Sequence, residues 1–197
     1  RLSVASILAE SARRYPDKVA IVMGDTRLTY AQVWQMARRY AAVLRDQGVG
    51  PGSRVGLLLP NIPHFAFAYY GVLALGGVVV SVHALLKADE IAYTLEDSQC
   101  VALVTAAPLL GEAMKGAELA GVPLLSVLDS DADMSDVTRL DLLAMAAEPV
   151  AALLPRRPED EAVILYTSGT TGRSKGAMLS HGNLGENAET LHQAWGF

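Results

Sequence analysis

Between Arg54 and Lys87 the chain carries no Asp, Glu, Lys or Arg. A stretch of that length without charge must be buried on nearly every side or lie in lipid. A transmembrane helix needs roughly 20 consecutive apolar residues, and residues 65–86 come near that length. Pro60, Pro63, Gly71 and the pair Gly76-Gly77 interrupt the window, however. Its apolar residues sort into a Val/Leu run at 54–59, a helical stretch at 62–75 and a valine run at 78–82. Near-continuous Val and Leu runs mark strands covered on both faces by helices, so a strand-helix-strand core is the better account and no membrane span is expected. Arg13 and Arg14 after a short mixed run do not make a secretory signal.

The same alternation runs through most of the chain. Residues 3–14 read as a helix, and 19–23 with 26–28 as a hairpin around Gly24-Asp25. Thr29 followed three residues later by Gln32 has the spacing of a capping box. Val33, Ala37, Tyr40, Ala41 and Leu44 then share one helical face until Gly48 ends the helix. Strands at 54–59, 78–82, 101–104 and 124–128 are separated by helices at 62–75, 88–98 and 107–120. Repeated strand-helix pairs imply an α/β fold, a mainly parallel sheet flanked by helices on both faces. After residue 128 the pattern lapses into Asp129, Asp131, Asp133 and Asp136. Their alternate spacing resembles a calcium loop, but the central glycine and terminal glutamate are missing, which leaves a solvated connector. A short helix is expected at 138–147. The chain divides into an N-terminal α/β subdomain at 1–154, a linker at 155–160 and the start of a next subdomain at 161–197.

That last part opens with YTSGTTGRSKG, Tyr166 to Gly176. Gly169, Gly172 and Gly176 allow left-handed backbone and let amides approach an anion without a Cβ in the way. Thr167, Ser168, Thr170 and Thr171 add short donors, and Arg173 and Lys175 add charge. No carboxylate occurs from Ala162 to Gly185, in a protein of 21 acidic and 16 basic residues. The run is therefore a candidate phosphate loop. It does not follow the G-x-x-x-x-G-K-[ST] pattern, because from Gly169 that pattern needs glycine at Ser174 and Ser or Thr at Gly176. It also lacks the G-x-G start of a dinucleotide fingerprint. Apolar residues on both sides (162–165 and 177–179) place it between two strands. A glycine-rich hairpin with nothing to bind is the plain alternative, and turns of that kind seldom gather so many hydroxyls and cations.

The run from Tyr166 to Leu184, YTSGTTGRSKGAMLSHGNL, resembles the AMP-binding signature of the adenylate-forming superfamily, which includes acyl-CoA synthetases, peptide-synthetase adenylation domains and luciferases. The likeness extends through Pro60 to Phe65, Tyr70 to Val80, Leu86 to Ser98 in a form similar to fatty acyl-CoA ligases, and the opening around Tyr15-Pro16-Asp17 and Leu28-Thr29-Tyr30. Three departures stand out: Ser174 where proline is usual, His83-Ala84 where Asn-Pro is common, and Gly182 where a larger residue is common. They bear on loop rigidity more than on chemistry.

The resemblance implies the first part of the large N-terminal domain of such an enzyme, with the C-terminal domain absent. It implies an acid-thiol ligase that uses ATP, Mg2+ and CoA and acts on a carboxylic acid, a fatty acid by the likeness of residues 86–98. Thr167, Ser168, Gly169, Thr170, Thr171, Gly172 and Lys175 are then the nucleotide-binding residues. The family's catalytic lysine and magnesium ligand lie further along such a chain, so these 197 residues alone are expected to be inactive and to have no catalytic or metal-binding residue of their own. An acyl-AMP ligase or adenylation domain that loads a carrier protein, and a non-catalytic nucleotide-binding or interaction domain, are the alternatives. A mean hydropathy of +0.27 fits apolar faces awaiting either the remainder of the protein or an oligomer partner. Net charge of −5 without a basic stripe argues against nucleic acid. The single cysteine, Cys100, excludes an internal disulfide and suits the cytoplasm. It precedes an apolar run and reads as a buried structural thiol. His64 and His83 read as core or boundary residues, His192 as a surface or interface residue, and His181 as capping or packing beside Asn183.

Overall fold

The computed structural model describes residues 3–151, 153–167 and 174–186. Helix α1 (Val4–Arg14) starts at Ser3, whose hydroxyl accepts the Ser6 amide. The expected hairpin forms from β1 (Val19–Met23) and β2 (Thr26–Thr29), antiparallel and apart from the main sheet. Helix α2 (Tyr30–Asp46) begins at the expected capping box, with Gln32 N–H on Thr29 Oγ1 and Thr29 N–H on Gln32 Oε1. Reciprocal satisfaction of two amides that have no partner inside the helix is what that spacing provides.

The main sheet contains β3 (Arg54–Leu58), β4 (Val78–Ser81), β5 (Ala102–Ala106), β6 (Leu124–Val127), β7 (Thr138–Arg139), β8 (Glu161–Thr167) and β9 (Lys175–Ser180). Its order is β7-β6-β5-β3-β4-β8-β9, and every neighbouring pair is parallel except β8-β9. Helix α3 (Pro63–Ala74) links β3 to β4, α4 (Ala88–Asp97) links β4 to β5, and α5 (Leu110–Ala120) links β5 to β6. Residues 107–120 are not one helix: a tight 3-10 turn at Ala107–Leu109, with Pro108 in it, precedes α5. The stretch expected as a helix at 138–147 begins instead with β7, which extends the sheet beside β6, and only then forms α6 (Leu140–Ala146). The signal of a two-residue strand is too short for periodicity to reveal it.

Strand residues alternate between two cores. Val55, Leu57, Val79, Val104 and Leu125 meet α1, α2, α3 and α6, whereas Leu58, Val80, Leu103 and Ile164 meet α4 and α5. Both faces of the sheet are thus covered, which is why β3, α3 and β4 within the charge-free window are almost wholly buried. Two glycines mark where layers approach closely. A Cβ at Gly71 would lie 3.0 Å from the Ala37 carbonyl oxygen across the α2-α3 contact. One at Gly116 would lie 2.6 Å from Ile91 Cγ2 across the α4-α5 contact. No described helix is long and apolar enough to cross a membrane.

Candidate phosphate-binding hairpin

The segment singled out in the sequence falls where β8 turns back into β9, joining two strands as expected. β8 runs parallel to β4 through Val79↔Val163 and Ser81↔Leu165, which ties it to the middle of the sheet. Its other edge pairs antiparallel with β9, placing Tyr166 opposite Gly176 and Thr167 opposite Lys175. The candidate site residues Thr167 and Lys175 are therefore register partners at the end of the hairpin where the connection leaves β8. Ser168, Gly169, Thr170, Thr171 and Gly172, together with Arg173, lie outside the described residues, as does His192. Lys175 is exposed and among the described residues makes no ion pair. The far end of β8 carries Glu161, bound at 3.0 Å by Arg54, so the strand's one carboxylate is used away from the hairpin mouth.

Gly176 does not adopt the left-handed backbone that its sequence context implied. It lies in extended β9 and has no positive φ. A Cβ there would meet Ile164 Cγ2 at 2.9 Å and Tyr166 Cζ at 3.2 Å, so glycine leaves room for the Tyr166 ring to lie across the strand pair. The Tyr166 hydroxyl donates to Asp97 Oδ2 at 2.7 Å, at the end of α4. Burial, then the bond to Asp97, pushes its pKa well above the ordinary tyrosine value, so the phenol remains a donor. One turn earlier on α4, the Tyr93 hydroxyl donates to the Ser174 carbonyl at 3.1 Å. These contacts across 69 and 81 residues carry no local sequence signal.

His181 differs most from the sequence reading. The cap of α7 (His181–Glu186) is made by Ser180, whose Oγ accepts the Asn183 amide while Asn183 Oδ1 accepts the Ser180 amide. His181 turns inward, fully buried, and its Nδ1 accepts the Val4 amide at 3.1 Å, 177 residues away. This bond closes the first turn of α1 with a side chain from beyond the hairpin. An accepting Nδ1 leaves the proton of the neutral ring on Nε2, which is buried without a hydrogen-bond partner among the described residues. Burial holds the ring's pKa below 6.5, with Arg156 adding to the effect and Asp160 opposing it. Gly182 is explained by packing: its amide donates to Pro158 O at 2.7 Å, and a Cβ would lie 3.1 Å from that same oxygen.

His64 and His83 make no catalytic arrangement among the described residues. His83 is exposed rather than in apolar surroundings, because it sits in the turn after β4 with Nδ1 accepting the Leu85 amide. His64 is half-buried against Phe67. Cys100 is buried 3.2 Å from Ser98 Oγ, and burial pushes its thiol up to about 11, so it is a structural thiol. Among the described residues no cluster of three or more His, Cys, Asp or Glu side chains could hold a metal.

The fold is an α/β sheet whose antiparallel final pair is joined by a connection that is glycine- and hydroxyl-rich in sequence. The chain belongs to the AMP-binding enzyme family, which it matches over residues 8–197. It is similar to a long-chain fatty acid CoA ligase of Bacillus subtilis, 34% identical over 98% of this chain and 39% of the relative's length. It is equally similar to tyrocidine synthase 2 of Brevibacillus parabrevis, 34% identical over 91% of this chain and 4% of that protein. A solved fatty acyl CoA synthetase of Mycobacterium tuberculosis superposes with a TM-score of 0.78 at 29% identity, covering 97% of this chain and 37% of the other. The anthranilate CoA ligase AuaEII, solved with anthranoyl-AMP, shares the fold at a TM-score of 0.89 and 22% identity, over 95% of this chain and 36% of its own. The chain thus spans less than half the length of these relatives.

Proposed function

We propose that this chain is the N-terminal part of an ATP-dependent acyl-CoA ligase, which activates a carboxylic acid, a fatty acid in the first instance, and transfers the acyl group to CoA. The observation that carries this reading is the β8-β9 register, which sets Lys175, exposed and without an ion pair among the described residues, opposite Thr167 at the mouth of the connection. An ammonium so placed at the end of a strand pair suits the β- and γ-phosphates of ATP. Thr167, Ser168, Gly169, Thr170, Thr171, Gly172 and Lys175 would hold them. A carboxylate oxygen of the acid attacks the α-phosphorus, the bond to the bridging oxygen of the β-phosphate breaks, and pyrophosphate leaves. The CoA thiol, losing its proton, then attacks the acyl carbon and AMP departs. Cations at the β- and γ-phosphates orient and stabilise the leaving group in the first step. Arg173 and Lys175 alone cannot balance a triphosphate, and Mg2+ bound with the nucleotide would offset the remaining charge. The run from Ala162 to Gly185 provides no carboxylate for it, so phosphate oxygens would be its ligands near these residues. A single buried cysteine is compatible with a cytoplasmic enzyme.

A second reading, an adenylation domain that loads a carrier protein, draws on the equal identity to tyrocidine synthase 2. Carboxylate-dependent exchange of labelled pyrophosphate into ATP tests both in the complete enzyme. Exchange with fatty acids followed by CoA-dependent AMP release supports the ligase. Exchange without a CoA response supports carrier loading, and no exchange with any acid refutes adenylation.

A further inference from the structure

We propose that Tyr93 and Asp97 are positioning residues, two hooks on one face of α4 that hold the two arms of the β8-β9 hairpin and thereby set where Lys175 meets nucleotide phosphate. The inference rests on the functional reading above. Residues four apart on a helix lie one above the other on the same face. The upper hook, Tyr93, donates to the carbonyl of Ser174, the residue just before Lys175. The lower hook, Asp97, accepts from Tyr166, the residue just before Thr167. Each contact thus falls on a different arm, one residue short of the opposed pair Thr167 and Lys175.

Asp97 is an unusual choice on local grounds. It is the last residue of α4, where the helix dipole favours a cation, and no basic residue occupies that turn. The helix closes directly afterwards through Gln99, held at φ 55, with the Cys100 amide on the Leu95 carbonyl. A carboxylate placed against the dipole is accounted for by what it meets across the gap, the short bond from Tyr166. Nearby polar side chains turn back on their own helix: Thr94 donates to the Glu90 carbonyl and Ser98 to the Thr94 carbonyl. Tyr93 and Asp97 reach away from it.

The base of the brace is firm. Ile91 and Leu95 are fully buried, the Ala88 amide is held by Glu112 of α5 at 2.8 Å, and Gly116 lets α5 press against Ile91. The hairpin by contrast is peripheral. β9 is the edge strand, and Lys175 through Met178 are exposed. Fixing both arms before the nucleotide arrives removes ordering that binding would otherwise have to supply, and this acts on nucleotide affinity.

The test is the kinetics of pyrophosphate exchange in the complete enzyme carrying Tyr93→Phe, Asp97→Ala or Asp97→Asn. Loss of one hydrogen bond corresponds to about a three- to tenfold rise in KM for Mg·ATP. The expected result is that rise in Tyr93→Phe and Asp97→Ala, with KM for the acid unchanged. Asp97→Asn keeps an acceptor oxygen and should remain within about twofold of wild type on the same grounds. An unchanged KM for Mg·ATP in both Tyr93→Phe and Asp97→Ala overturns the proposal, as does an equal rise for acid and nucleotide. Tryptic cleavage after Arg173 and Lys175 supplies a readout free of activity. It should quicken in Tyr93→Phe and Asp97→Ala relative to cleavage elsewhere, and an unaltered cleavage pattern counts against the brace. Should the wild-type enzyme show no exchange, the functional reading fails while the proteolysis still reports on the brace.

Discussion

Replacing His181 by asparagine should separate a packing effect from a titration effect. The wild-type ring is fully buried and accepts the Val4 amide through Nδ1. Its folded pKa lies below 6.5, chiefly through burial, whereas the unfolded chain has the ordinary value. The unfolded state therefore binds the proton first as pH falls. Stability associated with neutral His181 is complete above pH 6.5 and is lost as pH drops toward the folded pKa. One proton of difference gives a slope of up to about 1.4 kcal/mol per pH unit. Between about pH 7.5 and 5.5 the loss from this residue is at most about 1.4 kcal/mol, the limit set by the unfolded imidazole, with His64, also lowered by burial, adding a loss of the same sign. The shorter amide side chain would keep an oxygen close to the Nδ1 position, so Val4 retains a partner, but nothing titrates. His181→Asn should be about 1–2 kcal/mol less stable at about pH 7.5 through lost ring packing. Its deficit should shrink as pH falls to about 5.5, by no more than about 1.4 kcal/mol. Urea unfolding of both proteins at about pH 7.5, 6.5 and 5.5 measures this. The lowered carboxylates of Asp133, Asp141 and Asp160 lose their contributions only as pH falls toward their folded values, below this window. Parallel pH profiles for wild type and variant would refute the assignment of a buried neutral His181.

Two glycines of α5 should respond in opposite directions to alanine. Gly116→Ala forces a Cβ to 2.6 Å from Ile91 and should destabilise by about 1–2 kcal/mol, overpacking outweighing helix propensity. Gly111→Ala meets nothing within 4 Å and should stabilise by about 0.5–1 kcal/mol; thermal melts of the two variants check the pair. Arg54 holds the Ser98 carbonyl at 3.1 Å and Glu161 at 3.0 Å, so Arg54→Ala should lower stability by about 1–2 kcal/mol. A double-mutant cycle with Glu161→Gln should assign no more than about 1 kcal/mol to this half-exposed ion pair. Lys175→Ala should raise KM for Mg·ATP in pyrophosphate exchange by about tenfold or more while leaving the melting temperature unchanged, since the side chain is exposed and makes no ion pair among the described residues.

Elements whose signal is local were legible. The capping box at Thr29 and Gln32, the proline and paired glycines that bound α3, and the hairpin at Gly24-Asp25 all appear as read. Each depends on residues a few positions apart. The unpredicted features include β7, whose two residues are too few to show a period, and the 3-10 turn that Pro108 introduces before α5. At the candidate site, the chemistry of 166–176 was visible in its residue types. The reason for Gly176 was not, because it depends on a tyrosine ring reaching a helix about seventy residues earlier in the chain.

Sequence by itself determined the class of this protein. A 3.6-residue apolar period alternating with Val-rich runs, and a charge-free window at its centre, admit little besides a sheet covered on both sides. Only the tertiary structure decided that β3 lies between β5 and β4, that Thr167 opposes Lys175, that α4 grips both arms of the hairpin, and that His181 closes α1. Periodicity and capping are written within a few residues because the backbone repeats over that distance. Strand order and side-chain clasps depend on which distant surfaces bury most area together, and no single segment contains that information.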